Sequence, residues 1–588
     1  SEGIYSDEKI GLGHTRLSII DTTNAAKQPF SSPNQRYTLI FNGEIYNYKI
    51  LRKALERKGY SFQTTSDTEV LLFHLIEFGE SGIHDLNGFF GFAFYDKETK
   101  ETIVARDRFG IKPLHIYEDE HQLIFASELK AIFTFDITKK INYSSLQLYF
   151  KFNYIPQPLS ILENCKKLEP GELLIWKDGK SKTKKYYTLP FTPQKYIFTD
   201  YKKAQLKLRE LLEESVSKRL VSDVPIGAFL SGGIDSSVIV GALSNSSNDP
   251  VTTLTIGFQE KEFDESNYSQ EIADRFKTNH HVLRLDENQL LQSLPSSLSA
   301  MDQPTIDGIN TFLISRSAHE VGLKVALSGL GGDELFGGYP SFRLIPQLMK
   351  QKKILKYIPF KKFGVGLYKN LFPSDQSTKM DHWVQGKLSG AHEYFLIRAL
   401  FCQDHVIRLF ADKKQAQTEI EKDYHRTQTQ IDQLPSGDIF NQISYLETFH
   451  YLQNMLLRDT DMMSMAHPLE VRVPFMDHRL VEMIFQLSGH EKSGTAKHLL
   501  VNSMKPLLPE NTWRRKKMGF TFPFDIWMRG ALRPEIESIL LTPLQQLEGL
   551  VSDKAVATIW SEFLSGRISW SRPWSLYVLK FWIIKNLS

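Results

Sequence analysis

Near the middle of the chain, the run VPIGAFL ends at Leu230 and is followed by SGGIDSS, Ser231–Ser237. The first run is short and apolar, which predicts a buried strand. Gly232 and Gly233 allow the backbone to turn sharply and to approach a ligand closely. The two serines at the end of the motif then open an apolar helix whose first N–H groups are free. The pattern therefore predicts an anion site at the start of that helix.

Asp235 inside this anion site indicates a metal. Its carboxylate would repel a phosphate unless a divalent cation lay between them, and Mg²⁺ held by one or two carboxylates and phosphate oxygens is the natural candidate. The loop is not a Walker A motif, because no Gly-Lys-Ser/Thr follows at the required spacing. A second run rich in glycines and acids, LSGLGGDELFGGY at Leu327–Tyr339, offers Asp333 as a second metal ligand.

Strand-like and helix-like runs alternate around the loop. Residues 201–221 carry an apolar stripe at helical spacing, and the runs at 224–230, 252–258, 280–285 and 323–329 are typical of strands. Such alternation predicts a parallel α/β sheet, which binds ligands at the carboxyl ends of its strands. The strand ends at Leu230, Phe258 and Ser328 are therefore expected to converge on one site. Beyond residue 340 the pattern is mostly helical.

The first 130 residues have a different pattern. Short apolar or alternating runs are separated by turn residues such as Asn42-Gly43, which predicts a mostly antiparallel sheet. Two helices are predicted within it, at Lys49–Lys58 and at Asp67–Phe78, where Ser66 and Glu69 have capping-box spacing. Residues 165–191 are predicted to form a second small, strand-rich region. The polar, proline-containing stretch 190–200 is predicted to be a linker.

Composition excludes several classes of protein. The chain has 588 residues, and 71 Lys and Arg against 68 Asp and Glu give a formal net charge of +3, which is no reason to expect nucleic-acid binding. The two cysteines, Cys165 and Cys402, provide no disulfide framework and no cysteine-based zinc cluster. No apolar run reaches the roughly 18 residues of a membrane span. The first residues do not form a secretory signal, so we expect a cytoplasmic protein.

SGGxDSS resembles the pyrophosphate loop of the ATP-pyrophosphatases, and the full set of motifs resembles the glutamine-dependent asparagine synthetase family along nearly the whole chain. The amino-terminal motifs are GLGHTRLSIID, FNGEIYNY, SDTEVLL, LNGFFGFAFYD, ARDRFGIKPL and FASELKAI. The carboxyl-terminal motifs are FLSGGIDSS, TIGF, FDESNYS, TNHH, SGLGGDELFGGY, RDTDMMSMAHPLEVRVPFMDH, AKHLL and RRKKMGF.

This resemblance implies an α/β protein of two domains. Residues 1–190 would be a class II glutamine amidotransferase domain, an antiparallel β-sandwich flanked by helices as in the Ntn hydrolases. Residues 201–588 would be the synthetase domain, a parallel α/β sheet of the ATP-pyrophosphatase (adenine nucleotide alpha-hydrolase-like) type with a helical extension.

The implied reaction is the ATP- and glutamine-dependent amidation of aspartate to asparagine. ATP with Mg²⁺ would convert the aspartate side chain to β-aspartyl-AMP and release pyrophosphate, and ammonia from glutamine would then displace AMP. The resemblance implies no nucleic acid and no membrane, and it allows a homodimer. Three alternatives stay open: another acceptor carboxylate such as a sugar uronate, a glutamine-independent cyclase of the β-lactam synthetase kind, and a non-catalytic scaffold.

The resemblance also implies roles for individual residues. In the synthetase domain, the residues that would contact pyrophosphate are Ser231, Gly232, Gly233, Ser236 and Ser237. The metal ligands would be Asp235 and Asp333, and the lysines near the phosphates would be Lys497 and Lys517. The remaining ATP contacts would be Leu230, Ile256, Ser328 and Gly329. In the amidotransferase domain, Arg16 would bind the α-carboxylate of glutamine beside Leu17 and Ile19, Asn42 and Gly43 would form the oxyanion hole, and Glu44 and Asp67 would bind the amino and amide ends. The retained glutamine-site residues argue against the cyclase, and the intact phosphate-side set argues against the scaffold.

The sequence departs from the family in two places. The family uses an amino-terminal cysteine as nucleophile, in an MCGI-like start well upstream of GLGH. Here Ser1–Ile10 precede that motif, so we expect a chain that has lost its amino-terminal segment and with it glutaminase activity. The second departure is Leu330, which stands where well-known members carry a glutamate proposed as an acid–base group. Leucine cannot transfer a proton, so the identity of the acceptor stays open.

Overall fold

The computed structural model describes residues 1–190, 200–258, 260, 262, 264–355, 357, 365–366, 375–386, 392–434, 437–494, 497–515 and 522–587. Lys517 and nearly all of the predicted linker at 190–200 lie outside these residues. Within them, sixteen strands form four sheets. The strands are β1 (Glu2–Ser6), β2 (Gly11–Thr15), β3 (Phe30–Ser31), β4 (Tyr37–Ile45), β5 (Gly88–Asp96), β6 (Glu101–Arg106), β7 (His115–Glu118), β8 (Leu123–Ala126), β9 (Cys165–Lys167), β10 (Glu172–Lys177), β11 (Lys180–Lys185), β12 (Ile226–Phe229), β13 (Thr252–Phe258), β14 (Asn279–Leu285), β15 (Val325–Leu327) and β16 (Glu470–Arg472).

The amino-terminal half is an antiparallel sandwich, as predicted. Its main sheet has the order β11-β10-β6-β5-β4-β3, and two smaller sheets, β1-β2 and β8-β7-β9, complete the half. Side chains alternate across β5, because successive residues of a strand point to opposite faces. Tyr95 packs with Leu12 and Ile116 of the smaller sheets, whereas Phe94 belongs to the larger core that includes the helices.

The region at 165–191 is not a separate unit. Strand β10 pairs with β6 through Leu173↔Ala105 and neighbouring residues, so it extends the main sheet. Strand β9 pairs instead with β7 in the three-stranded sheet. Strand β9 therefore belongs to a different sheet of the sandwich from β10 and its partner β11. The spacing of strand-like runs does not show which sheet each strand joins, because the pairing is set by partners distant in sequence.

The described residues of this half form six helices, of which those at Tyr48–Glu56 and Asp67–Phe78 were predicted. They are Asn24–Ala26, Tyr48–Glu56, Asp67–Phe78, Gly79–Asp85, Leu129–Ile132 and Tyr143–Phe152, the first and fourth being 3-10 helices. The Ser66 hydroxyl accepts a hydrogen bond from the Glu69 N–H at 3.3 Å, as the capping-box spacing predicts. The Glu69 carboxylate accepts from the N–H groups of Gln63 and Thr64. One half of the capping box is thus formed, and the acid closes the preceding turn.

The carboxyl-terminal half contains the predicted parallel sheet, with the order β14-β13-β12-β15-β16. Every neighbouring pair in it is parallel. Strand β16 has no counterpart among the predicted strands, because its three residues, all buried, are too few to show a period. The helices that alternate with the strands are Tyr201–Lys218, Ile234–Ser246, Ser266–Phe276, Glu287–Ala300 and Ile309–Glu320.

The chain beyond residue 330 is largely helical, in agreement with the sequence pattern. The α-helices here are Gly332–Phe336, Ser341–Leu355, Asp375–Gln385, Glu393–Arg398, Gln403–Leu409, Lys413–Asp432, Ile439–Leu446, Leu457–Met465, His478–Phe485, Gly489–Lys492, His498–Met504, Glu510–Arg514, Phe524–Arg529, Arg533–Leu540, Asp553–Leu564 and Ser571–Leu587. A π-helical segment, Glu447–Leu456, joins two of them, and short 3-10 turns lie at Pro474–Met476, Lys505–Leu507 and Gln545–Leu547. Among the described helices, none combines the length and the apolar character needed to cross a membrane.

Candidate active sites

The SGGIDSS motif forms a tight loop between β12 and the helix Ile234–Ser246. The Leu230 N–H donates to the Leu254 carbonyl at 2.8 Å, which keeps the end of this segment against β13. Gly232 has a φ of 70°, and a Cβ there would lie 2.6 Å from the main chain of Tyr268. Gly233 is the N-cap of the helix. The motif thus folds as predicted, with the start of a 13-residue helix directed toward the end of the strand.

The serines of the motif hold the loop by hydrogen bonds to one another. The hydroxyls of Ser231 and Ser236 lie 3.1 Å apart, and the Ser231 N–H donates to the Ser236 hydroxyl at 3.2 Å. The Gly233 N–H in turn donates to the Ser231 hydroxyl at 3.3 Å. Ser237 is fully buried one turn into the helix. The loop is therefore shaped by its own side chains.

A second loop, which follows β15, packs directly on the first. The Ser328 N–H donates to the carbonyl of Arg472 at 2.9 Å. A Cβ on Gly329 would lie 2.9 Å from the Asp235 Cβ, and one on Gly332 would overlap the Asp235 carboxylate. The absence of side chains at these two glycines lets the loops touch. The predicted convergence of strand ends is thus observed for Leu230 and Ser328, and Ile256 lies on the adjoining β13.

Asp235 and Asp333 share one cation, the ammonium of Lys497. The Lys497 Nζ contacts Asp235 Oδ2 and lies 2.6 Å from Asp333 Oδ1. Burial opposes the charge of Lys497, but the two carboxylates outweigh this effect and raise its pKa. Two carboxylates from separate loops that converge on one cation are a donor set that suits Mg²⁺ completed by phosphate oxygens. The residues present therefore fit the predicted metal.

Arg515 also contacts this site, and no role was predicted for it. Its Nη2 donates to the Gly232 carbonyl at 3.1 Å, and its Nη1 pairs with Glu265 at 2.8 Å. The guanidinium also lies 4.0 Å from the centre of the Tyr268 ring. Arg515 belongs to the RRKKMGF motif, so the signal was available in the sequence. The family resemblance implied a role for Lys517 of that motif, which lies outside the described residues.

The residues predicted to bind glutamine lie together at the edge of the amino-terminal sandwich. Arg16 follows β2, and its Nη2 donates to the carbonyls of Ile20 and Asp21 at 2.7 and 2.8 Å. Burial lowers the pKa of Arg16 against the opposing charges of Asp67, Asp21 and Glu44, which places these carboxylates around it. In the same segment, Leu17 is half-buried and packs against the core, and Ile19 is buried within it.

Asn42 and Gly43 lie on β4, opposite Gly91 and Phe90 of β5. The Asn42 side-chain amide donates to the Ser127 hydroxyl at 3.2 Å. Gly43 has a φ of 145°, and a Cβ at this position would overlap the carbonyl oxygen of Phe89. Only glycine fits this position, because the strand is in close contact with its neighbour.

Glu44 and Asp67 form a buried acidic pair beside Arg16. Burial raises the pKa of Asp67 to about 6, although its carboxylate accepts the Ile45 N–H at 3.0 Å. Burial and the nearby charge of Asp67 raise the pKa of Glu44 well above its ordinary value. Two desolvated carboxyls in contact resist carrying two negative charges at once. The pair is therefore suited to receive a cationic group such as an ammonium.

Buried ion pairs connect the two halves of the chain. Arg472 lies 2.7 Å from Glu470 and 3.4 Å from Glu44. Lys112 of the amino-terminal half lies 2.8 Å from Asp461. Of these residues, Glu44 alone had a predicted role. The other four stand in the motifs ARDRFGIKPL and RDTDMMSMAHPLEVRVPFMDH. A sequence motif shows that a residue is part of a pattern, but it does not show which distant residue it pairs with.

Comparison with known protein families accounts for this arrangement. The profile of the glutamine amidotransferase domain matches residues 1–187, and that of asparagine synthase matches residues 207–584, well over half of the chain. The chain belongs to the asparagine synthase family. It is therefore an enzyme, a carbon–nitrogen ligase of the glutamine amidotransferase class, and family membership implies the use of ATP and glutamine.

Relatives of this asparagine synthase family member match much of its length. Asparagine synthetase [glutamine-hydrolyzing] 1 of Bacillus subtilis is 31% identical over 602 residues, which cover 100% of this chain and 91% of the relative. Putative asparagine synthetase [glutamine-hydrolyzing] 2 of Methanocaldococcus jannaschii is 36% identical over 362 residues, 58% of this chain and 69% of the relative. Amidase chry2 of Gibberella zeae is 26% identical over 577 residues, 91% of this chain and 84% of the relative.

Proposed function

We propose that this family member amidates aspartate to asparagine, using ATP with Mg²⁺ and glutamine as the nitrogen donor. The observation that carries the proposal is the meeting of Asp235 and Asp333 on one cation beside the start of the SGGIDSS helix. The names of the Bacillus and Methanocaldococcus relatives support aspartate as the acceptor. The predicted domain boundaries, 1–190 and 201–588, stay part of this proposal.

In the synthetase half, ATP would bind with its phosphates at the amino terminus of the helix Ile234–Ser246. The N–H groups and the dipole of a helix end favour an anion there. The adenosine would lie against Leu230, Ile256 and the Ser328-Gly329 turn. Bound Mg²⁺ would neutralise charge that develops on the leaving pyrophosphate. Lys497 would add a positive charge on the same side.

The acceptor carboxylate would attack the α-phosphorus of ATP, which forms β-aspartyl-AMP and releases pyrophosphate. Ammonia would then attack the acyl carbon, and AMP would leave with the electron pair of the broken C–O bond. The residues of the loops contribute by orienting the phosphates and by stabilising the charge on the leaving group. Leu330, half-buried against the core, supplies no proton acceptor at this step.

In the amidotransferase half, Arg16 would bind the α-carboxylate of glutamine. The acidic pair Glu44 and Asp67 would receive the α-ammonium and the amide end. Asn42 would present its side-chain amide, and Gly43 its N–H, to the oxyanion that would form when the amino-terminal cysteine that the family uses as nucleophile attacks the glutamine amide. The close approach of β4 to β5 at Gly43 fixes the position of that N–H.

The proposal is tested by aspartate-dependent exchange of labelled pyrophosphate into ATP, with asparagine formation from ammonium chloride followed by mass spectrometry. Ammonium makes this assay independent of glutamine hydrolysis. We expect exchange with aspartate, and a loss of at least about a hundredfold in Asp235→Asn, the scale seen when a charge-stabilising group is removed. The matched control is Asp249→Asn, an exposed aspartate just beyond the same helix. If aspartate supports no exchange but another carboxylate such as a uronate does, the assignment of aspartate is wrong and that carboxylate is the acceptor.

A further inference from the structure

Lys497 occupies the position between two carboxylates at which a divalent cation would bind. Its Nζ lies 2.6 Å from Asp333 Oδ1 and contacts Asp235 Oδ2, and the residue is 6% exposed. Its backbone has a φ of 56° and a ψ of 50°, a left-handed conformation that lysine rarely adopts. Such a conformation persists where the surroundings hold the residue in place.

The surroundings are shaped to admit this side chain. A Cβ on Gly338 would overlap Asp333 and would lie 2.5 Å from the Lys497 Cε. A Cβ on Gly332 would likewise overlap the carboxylate of Asp235. The bare backbone at these two glycines leaves the volume that the lysine and the two acids occupy. The main chain at Gly332 and Gly338 therefore packs closely against the ion pair, which is not a contact between surface groups.

We propose that Lys497 fills the metal position while no nucleotide is bound, so that the divalent cation enters only together with ATP. This inference rests on the proposed function, because it takes Asp235 and Asp333 as the metal ligands. Without the ammonium, two carboxylates from separate loops would repel each other in a poorly hydrated site. The ammonium attracts both carboxylates and offsets one of their two negative charges, so the two loops stay together before ATP arrives.

The charges at this site also oppose the binding of a divalent cation without nucleotide. The two carboxylates carry a charge of −2, which an ammonium and a divalent cation together would exceed. The two cations, held between the same carboxylates, would also repel each other strongly. The phosphates of ATP bring the negative charge that both cations require. The flexible four-carbon side chain of Lys497 then moves from the carboxylates to a phosphate oxygen, and its former place becomes available to the metal.

The test measures Mn²⁺ binding by electron paramagnetic resonance, with and without the ATP analogue AMPCPP. For the wild-type protein we expect no tight Mn²⁺ site without nucleotide and one with it. Lys497→Met removes the competing ammonium, so we expect Mn²⁺ alone to bind at least about tenfold more tightly than to the wild type. The matched control is Lys505→Met, an exposed lysine eight positions further on, which should behave as the wild type.

Two further variants identify the site. Adding Asp333→Asn to Lys497→Met should abolish the gained Mn²⁺ site, and Lys497→Arg, which keeps the charge, should gain none. Circular dichroism confirms that each variant is folded. If Lys497→Met does not fold, the wild-type protein decides, because tight Mn²⁺ binding to it without nucleotide overturns the proposal.

The outcomes separate this inference from the proposed function. If the wild-type protein binds Mn²⁺ with AMPCPP but Lys497→Met gains no site for Mn²⁺ alone, the role given to Lys497 is wrong and the nucleotide site stands. If AMPCPP brings no Mn²⁺ to the wild-type protein, the assignment of the nucleotide site fails, and the inference fails with it.

Discussion

The guanidinium of Arg472 lies 3.4 Å from a carboxylate oxygen of Glu44, which joins the synthetase sheet to the predicted glutamine pocket. The main-chain carbonyl of Arg472 accepts a hydrogen bond from the N–H of Ser328, the first residue of the loop that follows β15 and is proposed to bind ATP, at 2.9 Å. One residue therefore contacts both candidate sites, one through its side chain and the other through its backbone. A displacement of Arg472 would affect the two sites together.

Arg472→Met is expected to destabilise the protein by about 3–5 kcal/mol, because removing one partner leaves the other charges buried and unpaired. The guanidinium pairs with Glu470 and Glu44 and also donates to the carbonyls of Arg219 and Val221. Urea denaturation, monitored by circular dichroism, measures the change in the free energy of unfolding.

The matched control is Arg209→Met, whose pair with Glu213 is half-exposed on a helix surface. Its effect should stay within about 0.5 kcal/mol, the range of most surface substitutions. A shift for Arg472→Met as small as that of Arg209→Met would contradict the role given to the buried network.

Adjacent arginines in the RRKKMGF motif give a second prediction. Arg515→Met removes the hydrogen bond to the Gly232 carbonyl and the pair with Glu265, so the loop loses an external support. We expect the Kd for ATP to rise about tenfold, the effect of one charge-assisted hydrogen bond. Isothermal titration with AMPCPP measures it.

The neighbouring substitution Arg514→Met serves as its control, because Arg514 is largely exposed and pairs with Glu510 on its own helix. Its Kd should equal that of the wild type. Equal effects of the two substitutions would mean that the motif acts through its overall charge and not through the contact with Gly232.

Local patterns predicted most of the fold. The apolar run before Leu230 became β12, the run at 252–258 became β13 in full, and the helix at Asp67–Phe78 has the predicted bounds. These elements are specified by residues that are neighbours in sequence: an apolar run, a cap, a glycine turn. The meeting of Asp235 and Asp333 followed from the rule that parallel strands end at one edge of a sheet.

Pairings across the chain were not predictable in the same way. Arg472 and Glu44 are 428 positions apart, and nothing in either local sequence identifies the other. The same holds for β16, whose three residues become a strand only because β15 lies beside them. The contact of Lys497 with both acids also depends on the folding of two loops around it. Long-range partners are chosen by packing, which a single sequence does not display.

The bare backbone at Gly43 gives a third prediction. Gly43→Ala places a methyl group against the Phe89 carbonyl and forces alanine into a φ of 145°. We expect a loss of about 1–3 kcal/mol from the backbone conformation alone, with a further loss from the overlap. Thermal denaturation measures it.

The control for this substitution is Gly13→Ala, because a Cβ at Gly13 on β2 would meet nothing within 4 Å. Its melting temperature should stay close to that of the wild type. An unchanged melting temperature for Gly43→Ala would show that β4 and β5 separate more easily than the structure implies.

The acidic pair predicts a pH dependence of glutamine binding. Burial raises the pKa of Asp67 to about 6 and raises that of Glu44 well above its ordinary value, so each carboxyl takes up its proton at a higher pH than an exposed carboxyl does. A protonated carboxyl loses its attraction for the α-ammonium of glutamine. The Kd for glutamine should therefore rise on going from pH 8 to pH 5, by up to about tenfold per pH unit for each group below its pKa.

Titration calorimetry with glutamine at several pH values tests this dependence. Asp67→Asn should bind glutamine weakly and with a flatter profile, because one of the two titrating groups is gone. Asp136→Asn, an exposed aspartate in the same half of the chain, should keep the wild-type profile. A wild-type Kd that stays constant between pH 5 and pH 8 would show that Glu44 and Asp67 do not carry the charge that holds the ammonium.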